Sequence, residues 1–156
     1  MSKMSLPSIV EIHSLSELDA FAKKIAMILK PGSVVGLEGS LGAGKTTFVQ
    51  FLAKHLKITQ PITSPTFTIM HEYPWKSDSQ FYHLDCYRLR RIDEVLGIGL
   101  TELIDEKKHL IVIEWPGVAQ PLIPAGTIWC TFEVTSDHTR KITTTLFSEL
   151  HHDTFH

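Results

Sequence analysis

Cysteine is scarce in this sequence: Cys86 and Cys130 are the only two in 156 residues, far apart and in no ligand or redox spacing. That excludes a disulfide scaffold, a Cys-paired zinc site and a C-x-x-C redox centre, and it fits a reduced cytosolic compartment. Long apolar runs are missing too. No stretch can span a bilayer and the N-terminus has no cleavable apolar run, so neither a membrane anchor nor a signal peptide is expected. Charge of one sign is not in excess either. Fifteen Lys and Arg stand against 17 Asp and Glu, a formal net charge of −2, so any nucleic-acid contact must come from a local patch. Internal repeats and low-complexity segments are absent. What remains is 43% hydrophobic and 21% charged, an ordinary globular composition long enough for one core. One domain over residues 1–148 is expected, with 149–156 a frayed tail. The tail's His151, His152 and His156 read as solvated side chains, because no cysteine or carboxylate cluster adjoins them.

The one dense local signal is the run Gly39-Ser40-Leu41-Gly42-Ala43-Gly44-Lys45-Thr46-Thr47. Gly39, Gly44, Lys45 and Thr46 fill every fixed place of the Walker A pattern G-x-x-x-x-G-K-[ST]. Glycine lets backbone N–H groups converge on an anion in conformations that a Cβ would block. Lys45 adds a point charge near the β- and γ-phosphates, and the Thr46 hydroxyl suits Mg²⁺. The flanks agree. Residues 33–38 read as a buried strand, and residues 48–56 as a helix with Phe48, Val49, Leu52 and Leu56 on one face. A helix there aims its positive end at the same phosphates. The motif implies a nucleoside triphosphate site.

Around it, residues 8–12 read as a strand, and Ser14 with Glu17 as an S-x-x-E capping box. The helix so opened carries Leu18, Phe21, Ala22, Ile25, Ala26 and Leu29 on one face and stops at Pro31-Gly32. A segment just before the first core strand of a P-loop fold can pass over the base, so Ser14, Leu15 and Ser16 are base-contact candidates as well as a cap. The alternation of residues 66–73 predicts a strand, 74–79 a polar turn, and 80–87 the second strand of an antiparallel hairpin. Residues 92–104 look helical, weakened by Gly97 and Gly99. Leu110-Ile111-Val112-Ile113 is a continuous apolar run suited to a buried parallel strand. A loop with Pro116, Pro121 and Pro124 follows, then a strand pair over 127–134 and 141–147 that turns at 136–140. The predicted class is α/β: a P-loop NTPase-like mixed sheet with helices on both faces.

A Walker A loop needs a further acid at a strand's C-terminal end, to hold Mg²⁺ or orient water. Glu114, directly after the four-residue apolar run, is one candidate. Asp85, after Phe81-Tyr82-His83-Leu84, is the other, although a hairpin strand need not reach the phosphates. Thr63-Ser64-Pro65-Thr66 is a candidate switch segment, and equally a plain loop. Arg88, Arg90 and Arg91 form a basic run that reads as a solvated face, a lid, a transition-state arginine, or a contact for RNA or an acidic partner.

The Walker A run, then Ser64-Pro65-Thr66-Phe67-Thr68, His83-Leu84-Asp85-Cys86-Tyr87-Arg88-Leu89 and Glu114-Trp115-Pro116, in this order, closely resemble the TsaE family. These are small bacterial P-loop ATPases that take part in making threonylcarbamoyladenosine in tRNA. The resemblance covers about residues 10–140, and its later blocks are far more specific than the Walker A loop. It implies ATP and Mg²⁺ as cofactors, with residues 42–47 on the phosphates, Thr46 and Glu114 serving the metal, and Lys45, Asp85 and Glu114 needed for turnover. It also implies a basic residue of the last turn near the nucleotide, for which Arg140 is the best match. Ser40 stands where the family commonly has aspartate, a departure that touches no phosphate contact. In such a system the transfer chemistry belongs to the partner proteins TsaD and TsaB. The ATPase docks on that pair, meets tRNA only through it, and resets it between cycles. Two rival readings remain open on the residues: a small-molecule kinase with an arginine lid, for which no acceptor-binding signature is present, and a nucleotide-gated binding module with negligible turnover. A GTPase is disfavoured by the lack of an N-K-x-D motif.

Overall fold

The computed structural model describes residues 9–147. Ser8, expected to open the first strand, and the tail over 149–156 lie outside the described residues. The chain runs β1 (Ile9–Ile12), α1 (Leu15–Ile28), β2 (Val34–Gly39), α2 (Lys45–His55), β3 (Met70–Lys76), β4 (Ser79–Asp85), α3 (Ile92–Gly97), α4 (Leu100–Asp105), β5 (Leu110–Glu114), a 3₁₀ turn (Pro116–Leu122), β6 (Ile128–Ser136) and β7 (Thr139–Leu146). All seven strands share one sheet in the order β1-β7-β6-β2-β5-β4-β3. β2 is parallel to β5 and to β6, and β4 is parallel to β5, whereas β1·β7, β6·β7 and β3·β4 are antiparallel. The expected mixed α/β sheet is the fold observed.

Strand alternation sorts the core into two layers. Val35 and Leu37 of β2, Phe81 of β4 and Leu110 and Val112 of β5 face one side, where α1 and α2 cover them. Val34, Tyr82, Leu84, Ile111 and Ile113 face the other, under α3, α4 and the 3₁₀ turn. Helices therefore cover both faces. Phe48 fixes α2 on the first layer. It is fully buried, with Phe21 and Phe132 rings each at 5.6 Å, and truncating such a side chain costs about 3–5 kcal/mol.

Four local expectations are corrected. The first hairpin strand begins at Met70 rather than 66, because residues 66–68 turn and Ile69 takes a left-handed φ of 71°. The Ile69 carbonyl then accepts the Asp85 N–H at 2.8 Å. The polar stretch expected as a turn continues as strand through Pro74 to Lys76. Proline is tolerated because β3 is an edge strand, with an irregularity between Pro74 and Lys76. The helix over 92–104 is two short ones, parted at Gly99 with φ 86°. Finally, Ser14 caps the Glu17 N–H at 3.1 Å, but Glu17 reaches back to the His13 N–H at 2.8 Å instead of to Ser14.

Candidate nucleotide site

β2, β5 and β4 run parallel and end at one rim, where open α/β sheets bind their ligands. The loop from β2 into α2 lies there. Gly39, Gly42 and Gly44 hold φ values of 147°, 80° and 105°. A Cβ on Gly39 would stand 2.5 Å from the Phe132 carbonyl oxygen, so only glycine fits where the loop leaves the strand. Gly44 is the N-cap of α2 and has no side chain to satisfy the helix's first N–H groups. Those donors, with the positive end of the helix, form a concavity suited to an anion.

Lys45 is the first residue of α2 and is buried. Its ammonium donates to the Gly39 carbonyl, lies 3.4 Å from the Ser40 carbonyl, and sits 3.7 Å from the centre of the Trp115 ring. Burial pulls this ammonium below the usual lysine range, opposed by the charges of Glu114, Asp85 and Glu38. Trp115 itself has a left-handed backbone, φ 56° and ψ 58°. That conformation is costly for a bulky residue. Its N–H donates to the Leu37 carbonyl at 3.0 Å, and its ring lies 4.9 Å from that of Tyr87.

The two acids meet by register. Asp85 at the end of β4 pairs directly with Glu114 at the end of β5. Both are buried. The Thr46 hydroxyl lies 3.2 Å from each Glu114 oxygen, and the Thr66 hydroxyl donates to Asp85 Oδ2 at 3.1 Å. Asp85 Oδ1 accepts the Tyr87 N–H at 2.9 Å. Residues 41–47, Ser64, Thr66, Asp85, Glu114 and Trp115 thus enclose a cavity of about 310 Å³. An all-oxygen set from Thr46 and two carboxylates suits a hard cation. Among the described residues no group of three or more His, Cys, Asp or Glu could hold a metal alone. Such a site would need phosphate oxygens and water as well, the usual manner of Mg²⁺.

A second cavity, of about 300 Å³, adjoins the first and shares Gly42, Ala43, Gly44 and Thr47 with it. Ser14, Leu15 and Arg140 line it, beside Leu18, Phe132 and Ile142. Ser14, Leu15 and Arg140 therefore stand around one space, although nearly the whole chain separates Ser14 from Arg140, whereas Ser16, the remaining base-contact candidate, does not line it. Arg140 Nη1 reaches the Ser136 and Thr139 carbonyls at 3.4 Å each. Gly39 lines neither cavity and acts through its conformation and its carbonyl. Arg88 stacks 4.4 Å from the Phe67 ring, and Arg91 pairs with Asp93 at 3.0 Å.

Sequence reasoning gave His83 no role. It is wholly buried on β4 and donates from Nε2 to Glu114 Oε2 at 2.6 Å. The signal was available: period-two alternation puts His83 on the same sheet face as Asp85. His71 was also passed over. Its ring nitrogens reach Thr63 O at 3.2 Å, Tyr73 Oη at 3.3 Å and Thr68 Oγ1 at 2.7 Å, and so tie the loop before β3 to that strand.

Residues 12–142 match the family model for the threonylcarbamoyl adenosine biosynthesis protein TsaE. The chain belongs to the TsaE family. A TsaE relative from Bacillus subtilis is 39% identical over 131 residues, covering 83% of this chain and 79% of that protein. One from a Nostoc species is 51% identical over 90 residues, 56% of this chain and 54% of its own. Among solved structures, Bacillus subtilis YdiB superposes with a TM-score of 0.70 at 31% identity, covering 93% of this chain and 88% of that one. TsaE membership ties the chain to the formation of threonylcarbamoyladenosine in tRNA, and its P-loop fold is that of nucleotide-binding proteins. No helix among the described residues is long and apolar enough to cross a membrane.

Proposed function

We propose that this TsaE protein binds ATP with Mg²⁺ at the β2–α2 loop, hydrolyses it slowly alone, and uses that hydrolysis on a TsaD–TsaB pair in the cytoplasm, so that tRNA modification proceeds through many cycles. The observation that carries the reading is the register of β4 against β5, which sets Asp85 beside Glu114, whose oxygens lie 3.2 Å from the Thr46 hydroxyl at the start of α2.

Each residue then has a part. The amides of residues 42–47 and the helix N-terminus bind the phosphates, and Lys45 supplies the charge that the glycines cannot. Thr46 and Glu114 would hold Mg²⁺, which would supply positive charge against the phosphate oxygens. Asp85 is the further acid, kept in place by Thr66 and the Tyr87 amide. Ser14, Leu15 and Arg140 flank the base in the adjoining cavity. Residues 1–148 act as a single domain in this scheme. tRNA is met only through the partner pair, in line with the formal net charge of −2.

The experiment is ATP turnover measured with the chain alone, with small-molecule acceptors, and with TsaD, TsaB and tRNA. Slow turnover alone that accelerates with the partner pair is expected. Acceptor-dependent consumption would instead make the chain a kinase, and no turnover under any condition would make it a nucleotide-gated binding module.

A further inference from the structure

Glu114 carries two demands at once: it must stay ionised in a buried position and keep a free oxygen toward the cavity. It is 3% exposed. Its side chain has no direct lysine or arginine partner among the described residues, and its closest contact is His83 Nε2 at 2.6 Å. His83 is entirely buried, and its Nδ1 finds no hydrogen-bond partner among the described residues. An ionised carboxylate only accepts, so the hydrogen of this contact sits on Nε2. A neutral imidazole in that tautomer leaves an acceptor lone pair on Nδ1 rather than an N–H, and an orphaned buried N–H is the rarer arrangement. The ring therefore makes one directed contact, and that contact ends on Glu114.

The backbone explains why it can. His83 pairs with Val112 and Asp85 with Glu114 across β4 and β5, and the alternation of both strands turns His83, Asp85 and Glu114 to the face covered by α2. His83 is thus the diagonal neighbour of Glu114, one pleat deeper than the rim, where a long side chain reaches across. From below it grips Oε2. Thr46 stands over both oxygens at 3.2 Å.

We propose that His83 is a positioning residue for the metal acid: its Nε2–H fixes the Glu114 carboxylate so that an oxygen faces Thr46 and the cavity. This rests on the reading of Glu114 as the group that serves Mg²⁺. Partners that orient a ligating carboxylate are worth about 10- to 100-fold in metal affinity. A purely structural histidine would change stability without separating metal affinity from nucleotide affinity.

The test is Mn²⁺ affinity, by electron paramagnetic resonance at saturating ADP, with ADP affinity in EDTA measured alongside. His83→Leu is expected to lower Mn²⁺ affinity about 10- to 100-fold and to leave metal-free ADP binding near that of the parent. His83→Gln, whose amide reaches the position of Nε2, is expected to recover most of the loss. Glu114→Gln is the reference. Unchanged Mn²⁺ affinity in Glu114→Gln overturns the metal role of Glu114, and this inference with it. A weakened Glu114→Gln beside an unchanged His83→Leu overturns the role of His83 alone. If His83→Leu does not fold, His83→Asn replaces it, since its amide reaches only as far as Nδ1. Equal Mn²⁺ affinities in the Gln and Asn variants then overturn the proposal.

Discussion

Lys45 shows how a single residue carries opposing requirements. Burial lowers its tendency to hold a proton, while Glu114, Asp85 and Glu38 favour the charged form. On the proposed function, a bound phosphate adds to the favourable side. Lys45→Ala should then weaken ATP binding by about 1.5–3 kcal/mol, roughly 10- to 150-fold, the worth of one charge-assisted contact. Titration calorimetry measures it, and parental affinity in the variant would remove the loop from the site. Trp115 lies over that ammonium at 3.7 Å, so whatever moves Lys45 alters the indole's surroundings. Tryptophan emission should change on adding Mg-ADP and stay unchanged in Trp115→Phe, with Trp75 and Trp129 as internal controls. A signal that survives the substitution places its source elsewhere. Cys86 and Cys130 are both buried, and burial pushes each thiol up to about 12. Thiolate, the reactive form, is therefore scarce near neutral pH. Ellman's reagent should titrate neither cysteine in the native chain and both after denaturation.

Among the elements, the loop before β3 departs furthest from its expected form. Its residues alternate as a strand would, yet they turn. Ile69 takes a left-handed φ, and its N–H reaches the Pro65 carbonyl at 2.6 Å. A β-branched residue held there costs on the order of 1–3 kcal/mol. Contacts elsewhere must hold the loop in that shape. His71 supplies several of them, and the turn delivers Thr66 to Asp85. His71→Ala is expected to speed amide hydrogen exchange in residues 63–69 by at least several-fold while α2 and β5 keep their protection. Equal exchange in the loop would mean that Thr66 and Pro65 hold it without the histidine. This hairpin was half legible beforehand. β4 and the antiparallel pairing followed from period two, but β3 was set too early, because alternation does not reveal that a bulky residue will be forced into a left-handed bend.

At the scale of the whole molecule, the proposed function separates docking from hydrolysis. Asp85→Ala and Glu114→Ala should still bind the partner pair but fail to support repeated tRNA modification, because both acids lie inside the cavity. The measurement is modified adenosine formed per complex, beside ATP turnover. If both variants sustain many rounds, hydrolysis is not the reset and gated binding alone suffices. Glu114 is legible from the apolar run before it, but nothing in the neighbourhood of Asp85 says that it reaches the same place, since 29 positions part the two. Only the parallel pairing of β4 with β5 makes them neighbours.

The sequence by itself determined the β2–α2 loop, the α/β class and Glu114 as a strand-end acid. These depend on local rules: glycine's freedom at positive φ, a helix N-terminus after a strand, and an apolar run that stops at a charge. The tertiary structure alone decided that Asp85 reaches the same rim, that Ser14, Leu15 and Arg140 flank one cavity, and that His83 supports Glu114 from beneath. Those relations come from strand order and register, which arise when distant segments compete to bury their apolar faces against one another. No window of sequence short enough to read as a motif contains that competition.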